Sequence, residues 1–168
     1  MHQLKENIYK YGYHQLFEPS ALDLIKADEF RLLNVEERSR DNMIKDVPTE
    51  LSNRLTTVAH YFKTKYIDPV WENSRYNKFT IWEGVDRDNQ GWHTDFFEGY
   101  DLFFLYYLDD TFEESGGYIE FKWDSGEKRY QPKAGDLFLV NNLRGFWHRA
   151  GSSTISRRVA SFDFNAGI

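Results

Sequence analysis

A histidine and an aspartate stand two residues apart in the stretch Gly91-Trp92-His93-Thr94-Asp95-Phe96-Phe97. In a strand, positions i and i+2 project to the same face, so His93 and Asp95 could reach one metal ion. The spacing alone is weak, because most histidines bind no metal, and His2, His14 and His60 read as surface or packing residues. His148, in Phe146-Trp147-His148-Arg149, adds a second imidazole between two expected strands. Two neutral imidazoles and one carboxylate on a β-scaffold form the ligand set of a non-haem Fe(II) centre, with three positions left open for a chelating cosubstrate and dioxygen. A closed structural zinc site needs a fourth protein ligand, and the chain has no cysteine to supply it.

Arg157 and Arg158 follow His148 by nine and ten residues. A guanidinium grips a carboxylate through two parallel hydrogen bonds. Strand neighbours point to opposite faces, so only one of the pair can face inward. The bland alternative is a solvated, charged strand edge; the upstream histidines and aspartate favour an anion partner.

The elements that must hold these residues divide near residue 75. Before it the patterning is largely helical. Ser20 is a candidate N-cap for a helix over 20–30. In the segment 48–67, Leu51, Leu55, Val58, Ala59, Phe62 and Tyr66 share a helical face, with Thr49 as a candidate cap and Asp68-Pro69 as the stop. After it come short strands over 78–82, 101–108, 116–123, 135–140 and 157–164, with a hairpin turn at Asp124-Ser125-Gly126-Glu127-Lys128. Helices first and strands after predict a mainly β (α+β) fold, a sandwich or barrel with a helical layer.

The chain has 168 residues, one domain's worth, with 1–75 as mostly helical support and 76–165 as the core that carries the metal site. Its formal charge of −6 argues against nucleic-acid or membrane-surface binding. The N-terminus has no apolar signal core, and the longest apolar run, 102–108, is too short to span a bilayer. A soluble, cytoplasmic protein is expected; its oligomeric state is not written in the sequence.

From Tyr76 to Asn165, about half the chain, the sequence resembles the Fe(II)- and 2-oxoglutarate-dependent oxygenases, in particular their compact prolyl-hydroxylase-like branch. The resemblance rests on an ordered set. His93-Thr94-Asp95 comes first, then Leu105-Tyr106-Tyr107-Leu108-Asp109 and Gly116-Gly117-Tyr118-Ile119-Glu120-Phe121. Pro132-Lys133-Ala134-Gly135-Asp136 follows, then His148, then Arg157-Arg158-Val159-Ala160-Ser161.

The resemblance implies a double-stranded β-helix (jelly roll) with the N-terminal helices packed on its major sheet. It implies Fe(II) held by His93, Asp95 and His148, with no catalytic residues beyond these ligands. The far carboxylate of 2-oxoglutarate would pair with Arg158, or alternatively Arg157, beside the Tyr107 hydroxyl, in a pocket lined by Leu105 and Phe103. Many relatives carry Ser or Thr two residues after the arginine; Ala160 stands there relative to Arg158, so both arginines stay open. O2 would be the oxidant, with ascorbate as a candidate accessory reductant. Trp92, Phe96, Phe97 and Trp147 are candidates for a dry wall.

The implied reaction is hydroxylation of a peptidyl or small-molecule substrate with release of succinate and CO2. Asp95 argues against halogenation, since related halogenases lack this carboxylate. The alternatives are a cupin-like metalloenzyme, which would place more histidines near the first motif, and a non-catalytic jelly-roll binding module, which gives the triad and arginine no reason to coexist. The loop 83–92 and parts of the N-terminal region are candidates for the cavity entrance, and Arg144, Arg149 and the arginine pair keep a nucleobase substrate open as a less favoured alternative.

Overall fold

The structure is a computed structural model that describes residues 2–38, 41–85, 90–95, 99–143 and 145–168. Helix α1 (His2–Tyr11) leads into strand β1 (Tyr13–Phe17). Two short 3-10 turns follow, Pro19–Asp23 and Ala27–Phe30, then β2 (Val35–Glu36) and β3 (Asn42–Ile44). Helix α2 (Thr49–Phe62) runs on into a wider π turn, Lys63–Ile67. The remaining strands are β4 (Arg75–Gly84), β5 (Leu102–Tyr107), β6 (Ile119–Trp123), β7 (Gly126–Tyr130), β8 (Asp136–Asn141), β9 (Trp147–Ala150) and β10 (Arg157–Asn165).

Seven strands form one antiparallel sheet in the order β1-β8-β5-β10-β4-β3-β2, and three form a smaller one, β7-β6-β9. The two sheets face each other as a double-stranded β-helix. The major sheet is covered on both faces, which is why β5 reads as an unbroken apolar run rather than an alternating one. Its odd residues, Phe103, Leu105 and Tyr107, meet Ile119, Phe121 and Ala150 of the smaller sheet. Its even residues, Phe104 and Tyr106, join Phe162 and Phe164 of β10 under the helical layer. The predicted stripe of α2 is buried there, and the Phe62 ring meets those of Phe104, Tyr106 and Phe162 at 5.5, 5.2 and 5.9 Å.

Two details differ from the sequence reading. The segment 20–30 is not one helix. Lys26 is extended (φ −106°, ψ 141°), and the Leu24 carbonyl accepts from Arg54 Nη1 at 2.7 Å instead of from a helical N–H. Thr49 does not cap α2; Pro48 holds the N-cap position, with no side-chain cap bond. The N-terminal 75 residues also contribute strands: β1 pairs with β8 and β3 with β4, extending both edges of the major sheet. These strands are short, and a short alternation such as that of β1 carries little periodic signal. Among the described residues no helix is long and apolar enough to cross a membrane.

Candidate metal centre

His93 and His148 are brought together by backbone pairing. His93 N–H donates to His148 O at 3.1 Å and His148 N–H to His93 O at 3.0 Å, an antiparallel bridge that continues the smaller sheet beyond β9. Residues paired in this way send their side chains to one face, and the two rings lie 4.4 Å apart. Asp95, two residues on, joins them: its carboxylate is 3.4 Å from His148 Nε2 and 3.9 Å from His93 Nε2. One ligand atom from each of the three lies within 4.8 Å of the others.

The tautomer of His93 follows from its partner. Nδ1 lies 2.8 Å from the Gly91 carbonyl, which can only accept, so Nδ1 carries the proton and Nε2 offers its lone pair to the site. Asp95 is held from behind. Its N–H donates to Asn142 Oδ1 at 2.8 Å, and Asn142 Nδ2 donates to Tyr100 O at 3.0 Å. Burial pushes the Asp95 carboxyl up. Hydrogen bonding by His148, the charges of His148 and His93, and the Tyr100 hydroxyl outweigh that and hold it below the ordinary carboxylate value.

The three residues border a cavity of about 500 Å³ between the sheets. At its other end is Arg157. Gly84 of β4 stands opposite Arg157 in the register, and a Cβ there would fall 2.5 Å from both Nε and Nη2, so the guanidinium crosses the strand only because residue 84 is glycine. Arg157 is 1% exposed. Its Nη2 donates to Asp41 at 3.1 Å, while its Nε is buried without a hydrogen-bond partner among the described residues. The Tyr107 ring lies 6.0 Å away. Burial outweighs the nearby Arg157 and pushes the Tyr107 hydroxyl up to about 12, so it stays a proton donor at neutral pH. Leu105 and Phe103 line the same cavity.

Arg158, favoured in the sequence for the anion partner, points the other way. Its Nε and Nη2 donate to the two Asp109 carboxylate oxygens, each at 2.9 Å, and its Nη1 to the Ala27 carbonyl at 2.8 Å. It ties β10 to the loop after β5 and to the second 3-10 turn. Arg157 is the arginine in the cavity.

The expected aromatic wall is also placed differently. Trp92 and Trp147 are immediate neighbours of inward-facing histidines and therefore face outward. They border a shallow surface depression with Lys122, and the Arg149 guanidinium lies 4.4 Å from the Trp92 ring. Phe96 and Phe97 lie outside the described residues, as do Arg144 and positions 86–89 of the loop 83–92. The cavity's aromatic lining comes instead from Trp82, Tyr100, Phe103 and Tyr107. Arg149 pairs with Glu120, away from the cavity.

Asn142 and Gly84 escaped the sequence reading. The available signals were the second of two amides that follow the apolar run 137–140, and a glycine ending a strand whose partner begins with arginine.

No family model and no curated protein sequence matches the chain. Solved structures do. A prolyl hydroxylase from Trichoplax adhaerens, in complex with a hypoxia inducible factor oxygen degradation domain peptide, superposes with a TM-score of 0.76 at 12% identity, covering 98% of this chain and 88% of the other. A Pseudomonas putida prolyl-4-hydroxylase gives 0.72 at 16% identity, over 98% and 97%. The epimerase SnoN, in complex with Fe3+, alpha ketoglutarate and nogalamycin RO, gives 0.75 at 15% identity, over 98% and 82%. At these identities the likeness shows a common fold.

Proposed function

We propose that this protein is an Fe(II)- and 2-oxoglutarate-dependent oxygenase that hydroxylates a small-molecule or peptidyl substrate. The observation that carries the reading is one cavity with two matched ends. Two imidazoles and a carboxylate converge at one end, and a buried guanidinium with an unsatisfied Nε stands at the other. The donor set fits Fe(II) with open positions, and the orphaned Arg157 Nε beside the Tyr107 hydroxyl fits a carboxylate.

Bound iron would supply the activation of dioxygen, and the overall balance is substrate C–H plus 2-oxoglutarate plus O2 giving substrate C–OH, succinate and CO2. The chain's own residues bind, orient and exclude. His93, Asp95 and His148 would hold the metal, and Asn142 fixes the Asp95 backbone and so the direction of its carboxylate. Arg157 and Tyr107 would take the far carboxylate of 2-oxoglutarate, with Leu105 and Phe103 as apolar walls along its methylenes. Further along β10, Ser161 and Asp163 also line the cavity and offer polar contacts to a substrate. The volume lies within the range of small-molecule sites.

The test is release of CO2 from carboxyl-labelled 2-oxoglutarate by the Fe(II)-loaded protein, run with and without candidate amino acids and peptides. Turnover that needs iron and disappears in Asp95→Ala is expected. Full turnover in that variant would remove Asp95 from the ligand set.

A further inference from the structure

Arg157 already has a carboxylate. Asp41 stands just before β3 and reaches into the cavity, where its Oδ2 accepts from Arg157 Nη2 at 3.1 Å and from Gln90 Nε2 at 3.3 Å. Gln90 is fixed in turn to the metal-bearing strand β9. Its N–H donates to Ala150 O at 3.0 Å, and its Oε1 accepts from Ala150 N–H at 3.1 Å. The Asp41 side chain is 14% exposed and that of Arg157 1%, so the contact is largely screened from water.

We propose that Asp41 is a built-in counter-ion at the cosubstrate subsite, one that competes with the far carboxylate of 2-oxoglutarate for Arg157 and so sets how tightly the dicarboxylate binds. The inference rests on the oxygenase reading above. A buried guanidinium without a partner is costly, so the metal-free, ligand-free fold needs a carboxylate there. Once a second carboxylate arrives, two like charges meet at the Arg157 guanidinium, and the ligand binds against that repulsion. Arg157 keeps its unsatisfied Nε for the newcomer, so the site accepts the ligand while holding its affinity down. Asp41 therefore acts on the far carboxylate alone and leaves the keto-acid end untouched.

The variant is Asp41→Asn, whose amide oxygen still accepts from Arg157 and Gln90 while the charge is gone. Isothermal titration calorimetry of the Mn(II)-loaded, full-length protein reads binding without turnover. The expected result is 2-oxoglutarate binding about tenfold tighter than in the wild type, one charge interaction's worth. Pyruvate, which has the same keto-acid end and no far carboxylate, should bind equally to both proteins.

A second variant, Asp41→Ala, guards against a packing artefact and should shift the affinity in the same direction. In the absence of ligand both variants should melt below the wild type, and 2-oxoglutarate should restore more stability to them than to the wild type. Unchanged or weaker 2-oxoglutarate binding in folded Asp41→Asn would overturn the proposal, since Asp41 would then be orienting Arg157. Equal tightening toward pyruvate would overturn it too. If the Mn(II)-loaded wild type binds no 2-oxoglutarate at all, the oxygenase reading itself falls and the inference with it.

Discussion

Replacing Gly84 by alanine adds one methyl group, and the structure puts it 2.5 Å from Nε and Nη2 of Arg157. The backbone does not resist the change, because Gly84 is not among the glycines with positive φ. Alanine in mid-strand gains about 0.5–1 kcal/mol over glycine, and at Gly84, the last residue of β4, it gains part of that. The whole penalty therefore falls on the guanidinium, which must leave its place across β4. A charge-assisted hydrogen bond to a carboxylate is worth about 1.5–3 kcal/mol. Loss of one such bond weakens 2-oxoglutarate binding by about 10–100-fold, at 1.4 kcal/mol per decade. Global stability should move by no more than about 1–2 kcal/mol, as the strand gain offsets part of the displacement. Calorimetric titration of Mn(II)-loaded protein measures the affinity, and urea unfolding measures the stability. Gly84→Ala and Arg157→Gln act on one group, so the double variant should lose little more than Arg157→Gln alone. Unchanged 2-oxoglutarate affinity in Gly84→Ala, or losses that simply add, would refute the assignment of Arg157 to the cosubstrate.

Other perturbations separate scaffold from site. Arg158→Gln breaks the buried pair with Asp109 and should cost about 3–5 kcal/mol in urea unfolding, with 2-oxoglutarate affinity unchanged in the protein that remains folded. Asn142→Ala leaves the Asp95 N–H and the Tyr100 carbonyl without their partner. Metal affinity, measured by competition with a chelator, should fall about 10–100-fold. Phe62→Ala empties the centre of the helical layer and should destabilise the fold by about 3–5 kcal/mol while leaving metal affinity intact. The Asp95 carboxyl is held below its ordinary value in the metal-free fold. Its contribution to stability is therefore present above the unfolded-state value and is lost as pH falls through the folded one. Acid unfolding of Asp95→Asn should be less steep in that window than that of the wild type.

The alternation along β10 shows how much of the site could be read in advance. Arg157, Val159, Ser161 and Asp163 face the cavity, while Arg158, Ala160, Phe162 and Phe164 face away from it. Ser161 and Asp163 share their parity with Arg157 and mark the cavity side, although the resemblance to relatives favoured Arg158. Parity could not be carried from His148, because the loop between β9 and β10 breaks the count. The same rule explains Trp92 and Trp147, which turn outward because their histidine neighbours turn in.

The apolar strands and the stripe of α2 were legible because burial wrote them as long, regular patterns. β1, β2 and β3 were not, being two to five residues long and placed by pairing with distant strands. The break within 20–30 was hidden as well, since the Arg54 side chain that takes the Leu24 carbonyl comes from another helix. His93, Asp95 and His148 were legible as residue types in order; their closeness depends on the His93–His148 backbone bridge, a tertiary contact.

The central claim is that His93, Asp95 and His148 hold iron at one end of a cavity whose other end binds 2-oxoglutarate. Anaerobic addition of Fe(II) and 2-oxoglutarate to the purified protein tests it directly. A visible metal-to-ligand charge-transfer band is predicted, absent with either component alone, lost in His148→Ala and weakened in Arg157→Gln. A well-folded, iron-loaded wild-type protein that shows no such band would contradict it.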